Sequence, residues 1–220
     1  MSEVIPTVVP SSLDDVVAFV ARCREFSKTF HVDAADGSLA PNDTWIPGVG
    51  EKLPESGALF YEAHVMAKHP EAAGNAFAAA GAKRIIAHVE AFDSEQEAGS
   101  AFASWRNNGA TEIGIAALIA TPLEALDPYI VSCQSVTLMT IASVGTQGIP
   151  FDERGYGRVA DLHARYPDLL IEVDGGVGAA QIATLARAGA RRFSVGSAIS
   201  KSPDPAKTHR ELLGLAEGAV

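Results

Sequence analysis

Four residues near the ends of short β-branched runs carry side chains that bind cations and move protons. They are His31 and Asp33 in "TFHVD" (29–33), His64 in "ALFYEAHV" (58–65) and Asp174 in "LLIEVD" (169–174). In an extended chain successive side chains face opposite sides, so His31 and Asp33 point one way while Val32 points the other. Two imidazoles and two carboxylates meeting at one point form a nitrogen and oxygen donor set that suits zinc, iron(II), manganese or cobalt. Singly, each residue has a plainer reading: a His-x-Asp pair in a strand is commonly a hydrogen-bonded structural pair, and an Asp before Gly-Gly is turn chemistry. The metal or catalytic reading requires a fold that gathers all four at one end.

The elements that would do so recur along the chain. Eight runs read as strands: 5–9, 29–33, 58–65, 84–90, 112–118, 135–141, 169–174 and 191–197. Most are separated by segments with helical spacing, such as Val16, Val17, Phe19, Val20 and Cys23, or Ile182, Leu185, Ala186 and Ala190. Strand and helix in alternation imply a parallel sheet. "AAGAKR" (79–84), "NNGATE" (107–112) and "RAGARR" (187–192) each place a glycine where a helix would end before a strand. "TPLE" (121–124) offers Thr121 as an N-cap, Pro122 at the first helical position and Glu124 three residues after the cap. Eight such units favour a single-domain (β/α)8 barrel over residues 1–220 rather than an open doubly wound sheet. In such a barrel the strand ends share one mouth, where barrel enzymes carry their active sites.

With 220 residues, 47% of them hydrophobic, the chain can bury a full core without a linker. The formal charge of −10 and the lack of a basic stripe argue against nucleic acid or a membrane surface as partner. "MSEVIPTVVP" lacks the basic and apolar pattern of a signal peptide, and no apolar run approaches spanning length; a cytoplasmic protein is expected. Cys23 and Cys133 lie far apart without metal-binding spacing and read as reduced thiols.

Read in order, "VPSSL" (9–13), "HVDAADGSLAPN" (31–42), "HVM" (64–66), "HVEA" (88–91), "ATPLEAL" (120–126), "LMTI" (138–141), "IEVDGGV" (171–177) and "VGSAI" (195–199) resemble the ribulose-phosphate 3-epimerase family over nearly the whole chain. The resemblance implies that His31, Asp33, His64 and Asp174 ligate one divalent metal per chain, zinc first, with iron(II), manganese or cobalt as alternatives. It implies that Asp33 and Asp174 are the acid and base on opposite faces of a ketose phosphate. Ser11 would face the substrate, and Met66 and Met139 would line the reacting carbon. It also suggests a homodimer or a homohexamer. Inverting a carbon beside a ketone needs stabilised enediolate oxygens and a proton donor on the second face, which this set supplies. Gly175, Gly176, Gly196 and Ser197 follow the seventh and eighth strands, where barrel enzymes often hold phosphate on backbone amides.

The sequence also departs from that pattern. The family's glycine-rich "PGFGGQ" loop is here "ASVGTQGIPF" (142–151), with Gly145 and Gly148 displaced; Leu118 and Ile119 replace an Asn-Pro, and Ala35 replaces a methionine. Phe60, Tyr61 and Glu62 crowd the third ligand-bearing strand. These changes leave the acid/base set intact and touch the pocket. Ribulose 5-phosphate is the expected substrate, with a ketohexose 6-phosphate or a silent sugar-phosphate-binding barrel as alternatives. Hexulose-phosphate synthases and orotidine-phosphate decarboxylases resemble this fold but use a DxKxxD strand, and "HVDAADG" has no lysine. Glu90 could orient a ligand from behind. His69, His88 and His163 read as structural or surface histidines.

Overall fold

All eight runs form strands: β1 (Glu3–Val8), β2 (Thr29–Ala35), β3 (Phe60–Met66), β4 (Arg84–His88), β5 (Glu112–Ala117), β6 (Ser135–Met139), β7 (Ile171–Asp174) and β8 (Arg192–Val195). In the computed structural model, which describes residues 2–146 and 148–219, they pair in parallel in chain order, and β8 returns to β1 to close the barrel. Around them lie α1 (Leu13–Cys23), α2 (Glu71–Ala80), α3 (Glu95–Asn107), α4 (Asp127–Ile130), α5 (Arg154–Arg165), α6 (Ala179–Ala188), α7 (Ser197–Ser200) and α8 (Pro205–Glu217). The fold is the (β/α)8 barrel expected. Between β2 and β3, residues 36–59 cross without a helix.

The period of two along each strand sorts the side chains into two layers. Phe30, Val32 and Ala34, Tyr61, Ala63 and Val65, and Ile113, Ile115 and Ala117 face outward and join the helices in the main apolar core. Each fully buried aliphatic side chain of this kind contributes roughly 1.5–3 kcal/mol. Helix α1 shows the matching pattern, burying Val16, Phe19, Val20 and Cys23 on one face. A second, smaller cluster of Ala35, Ala40, Met66, Met139, Ile141 and Val144 sits at the mouth.

Deeper inside, inward positions that barrels usually fill with aliphatic groups carry charges. Arg84 donates to Glu62 at 2.8 Å and to Glu112 at 3.0 Å, and Arg192 donates to Glu172 at 3.0 Å and to Glu62 at 2.5 Å. Arg192 also holds Glu3 in a close ion pair, joining β8 to β1. Every charge in this layer has a partner, as burial demands.

Two local expectations change. The "TPLE" stretch does not cap an α-helix through Thr121: Leu123–Leu126 form a 3-10 turn ahead of α4, and no side chain caps it. The Thr121 hydroxyl donates instead to Glu90. Strand β1 runs Glu3–Val8 rather than 5–9, because Glu3 to Pro6 pair with Arg192 to Val195. The glycine terminators behave as expected where the backbone is decisive: Gly81 ends α2 in the left-handed region at φ 111°.

Candidate active site and metal centre

Strand register assembles the site. Asp33 on β2 is level with His64 on β3, and Asp174 on β7 is level with Met139 on β6 and Ser194 on β8. One donor atom from each of His31, Asp33, His64 and Asp174 lies within 4.8 Å of the others, and all four residues are buried. His64 Nδ1 is 3.1 Å from Asp33 Oδ1 and 3.3 Å from Asp174 Oδ2. His31 Nε2 lies 3.3 Å from Asp33 Oδ1 and 3.9 Å from Asp174 Oδ2. It is buried yet makes no hydrogen bond among the described residues. An orphaned imidazole nitrogen facing two carboxylates beside a second imidazole fits a divalent cation.

The other nitrogen of His31 is committed from below. Nδ1 is 2.8 Å from Glu62 Oε1 and 3.1 Å from Ser194 Oγ, and the Ser194 hydroxyl donates to Glu172 Oε1 at 2.8 Å. A carboxylate only accepts, so Nδ1 carries the proton and Nε2 is left for the mouth. His64 is held from behind as well: its Nε2 is 2.8 Å from Nε2 of His88.

Charge is concentrated here. Burial opposes protonation of His31, but hydrogen bonds to Asp33, Glu172 and Glu62 outweigh it and hold its pKa well above the usual imidazole range. Burial likewise opposes charge on His64, and Asp174 and Asp33 together raise it to about 9. For Asp33, burial pushes the carboxyl up while His31 and His64 pull harder, leaving it well below the ordinary carboxylate range. The same contest leaves Glu172 ionised, through His31 and Arg192. Two ionised carboxylates and two imidazolium protons thus occupy a pocket where one divalent cation would replace the protons.

Asp33 and Asp174 open onto a cavity at the mouth that is also lined by Met66, Met139, Gly175, Gly176, Gly196 and Ser197. The structure therefore brings together all but one of the residues singled out in the sequence. The exception is Ser11. It is exposed, its backbone N–H donates to Asp15 at 2.8 Å, and the next residue, Ser12, caps α1. With β1 ending at Val8, the hydroxyl residue at the mouth is Thr7, level with His31.

The family model described as the ribulose-phosphate 3 epimerase family matches residues 4–200. The chain belongs to the ribulose-phosphate 3-epimerase family. It is an epimerase, an isomerase-class enzyme acting on carbohydrates. It is 32% identical over 187 residues to the ribulose-phosphate 3-epimerase of Escherichia coli K12, covering 83% of this chain and 81% of the relative. To the cytoplasmic isoform of rice it is 28% identical over 222 residues, covering 99% and 96%. Among solved structures, KGPDC from Streptococcus mutans in complex with ribose 5-phosphate matches with TM-score 0.75 at 12% identity, covering 99% of this chain and 98% of that one. The 3-hexulose-6-phosphate synthase of Salmonella typhimurium matches with TM-score 0.67 at 14% identity and full coverage of both chains. At such identities the likeness is one of fold.

Within this epimerase, the altered loop after β6 keeps a role at the mouth. Gly145, Thr146, Gly148 and Ile149 line the cavity, and both glycines have positive φ, 88° and 90°. Asn42 from the loop after β2 donates to the Gly145 carbonyl at 2.6 Å, so the two loops meet. Gln147 lies outside the described residues. Of the unassigned histidines, His69 is exposed and pairs with Glu97 at 2.7 Å. His88 is fully buried against His64. Sequence reading missed Thr7, Glu62, Glu172, Arg84, Arg192 and Ser194. The available signal was the period of two, since Glu62 precedes His64, Glu172 precedes Asp174 and Arg192 precedes Ser194 by two residues on the same inward face.

Proposed function

We propose that this epimerase inverts carbon 3 of a ketose phosphate, interconverting D-ribulose 5-phosphate and D-xylulose 5-phosphate, with one divalent metal ion held by His31, Asp33, His64 and Asp174. The observation that carries the reading is that two carboxylates, Asp33 from β2 and Asp174 from β7, face one cavity with both imidazoles between them. One carboxylate takes the proton from carbon 3 while the C–H electron pair moves into the carbonyl and forms an enediolate. The other returns a proton to the opposite face, so the pair exchanges protonation states each turnover. A divalent cation bound there would supply Lewis-acid stabilisation of the oxygen charge, worth several kcal/mol. Met66 and Met139 exclude water without competing for protons. Gly175, Gly176, Gly196 and Ser197 offer backbone amides to the phosphate.

Support comes from the names of the relatives and from a fold neighbour whose complex holds ribose 5-phosphate. The rice relative is a cytoplasmic isoform, which supports a cytoplasmic setting, and among the described residues no helix is long and apolar enough to cross a membrane. A homodimer or homohexamer remains the proposed assembly. Thr146 and Ile149 at the mouth favour a second substrate for testing, a ketohexose 6-phosphate. The test is metal content of the purified protein and of His31→Ala and Asp174→Asn, together with deuterium wash-in at carbon 3 of ribulose 5-phosphate. About one metal per chain, lost in the variants, with wash-in that requires it, is the expected result. Metal without wash-in on either sugar removes the epimerase substrate assignment; wash-in without metal removes the cation.

A further inference from the structure

Behind His64 runs a chain of groups on three consecutive units of the barrel. His64 Nε2 lies 2.8 Å from His88 Nε2, with the two rings stacked at 4.9 Å and 17°. His88 Nδ1 lies 3.3 Å from Glu90 Oε2, in the 3-10 turn Val89–Ala91 that follows β4. Glu90 Oε1 in turn accepts from the Leu118 backbone N–H at 3.0 Å and from the Thr121 hydroxyl, both just beyond β5.

The direction of this chain follows from its far end. Glu90 is pushed up by burial but held low by His88, Thr121 and Leu118, so it is ionised and only accepts. His88 must then carry its proton on Nδ1. Burial and the charge of His64 push His88 down against the pull of Glu90, so it is neutral and its Nε2 offers a lone pair. His64 must therefore donate from Nε2, which leaves Nδ1 as the nitrogen that faces Asp33 and Asp174. His31 reaches the same outcome by direct contact with Glu62.

We propose that His88 and Glu90 are positioning residues that fix the tautomer and ring orientation of His64, so that its Nδ1 is presented to a divalent cation at the barrel mouth. The inference rests on the metal-dependent reading above. A carboxylate behind a metal-binding imidazole is a familiar arrangement, and its loss typically weakens metal binding about 10–100-fold. Here the carboxylate acts through a second imidazole, because the cavity behind His64 is one ring deeper than that behind His31.

The test measures zinc affinity by chelator competition, and the visible absorption of the cobalt(II) form, on the intact protein and on His88→Leu, His88→Gln and Glu90→Ala. His88→Leu should weaken zinc about 10–100-fold and change the cobalt spectrum. His88→Gln, whose amide oxygen still accepts from His64 Nε2, should recover affinity to within about threefold of the unaltered protein. Glu90→Ala should weaken zinc at least about fivefold. If His88→Leu and Glu90→Ala both bind zinc normally with an unchanged cobalt spectrum, the inference is overturned. If a folded His88→Gln is as weak as His88→Leu, His88 only fills space, and the inference is again overturned. Should His88→Leu fail to fold, Glu90→Ala decides. An unaltered protein that binds neither metal overturns the metal reading itself, a result distinguishable from all of these.

Discussion

Glu62 reaches His31 with one carboxylate oxygen, Oε1 at 2.8 Å from Nδ1, and with the other accepts from both Arg84 and Arg192. The imidazole that faces the cavity is thus anchored through one carboxylate to two guanidinium groups. Arg192→Met would leave Glu62 with one cation and Glu172 with a single cation at 3.9 Å. Breaking a buried pair in this way costs about 3–5 kcal/mol. Urea denaturation should show it, and a loss below about 1 kcal/mol would mean that the layer relaxes without Arg192.

Proton competition sets the pH response. His64 titrates at about 9 in the metal-free fold against 6.5 for an ordinary histidine, so its contribution to metal-free stability is complete below about pH 6.5 and is lost as pH rises through about 9. A cation has to displace that proton. Apparent zinc affinity should therefore fall about tenfold for each unit of pH lowered from about 8 to 6, and more steeply where His31 also retains its proton. Chelator competition across that range reads it; a flat profile would show that the imidazoles are not ligands.

Thr7 and Ser11 separate the two placements of the hydroxyl at the mouth. Ser11→Ala leaves the cavity untouched and should keep kcat and KM within about twofold. Thr7→Val keeps the shape and removes the hydroxyl, and should lower kcat/KM about 5–10-fold, the worth of one hydrogen bond to substrate. The reverse ranking would return Ser11 to the site.

Gly176 has φ +69°, and a Cβ there would sit 2.6 Å from the backbone nitrogen of Phe151 and 2.7 Å from its Cα. Gly176→Ala should destabilise the fold by about 1–3 kcal/mol and raise KM for a phosphorylated ketose more than it lowers kcat. An unchanged KM would take the phosphate away from this turn.

Much of this was legible in the chain. Alternation of Phe30, Val32 and Ala34 against His31, Asp33 and Ala35 specifies both the outer core and the mouth, and glycines such as Gly81 mark the ends of helices. Ser11 was misplaced because strand ends depend on pairing: the Glu3 to Arg192 register starts β1 early, and no local signal in 5–9 reports on residue 192. A local clue did exist. Ser12 followed by Asp15 is a capping box, which commits Ser11 to the start of a helix. The Thr121 reading failed for the opposite reason, since a good capping motif lost its hydroxyl to the buried carboxylate of Glu90, 31 residues earlier. Arg84 and Arg192 were invisible because charged residues beside a strand read as its solvated edge until the barrel closes over them.

The ion pair from Glu3 to Arg192 spans 189 residues and draws on groups from opposite ends of the chain. Glu62 and Glu172 are made before Arg192, and a half-built barrel lacking β8 would hold them in its interior short of a counter-charge. Such a fragment is a poor resting place. The charged layer therefore makes folding an all-or-none event that waits for the last strand, and it discourages the stable half-barrels that a purely aliphatic interior would permit.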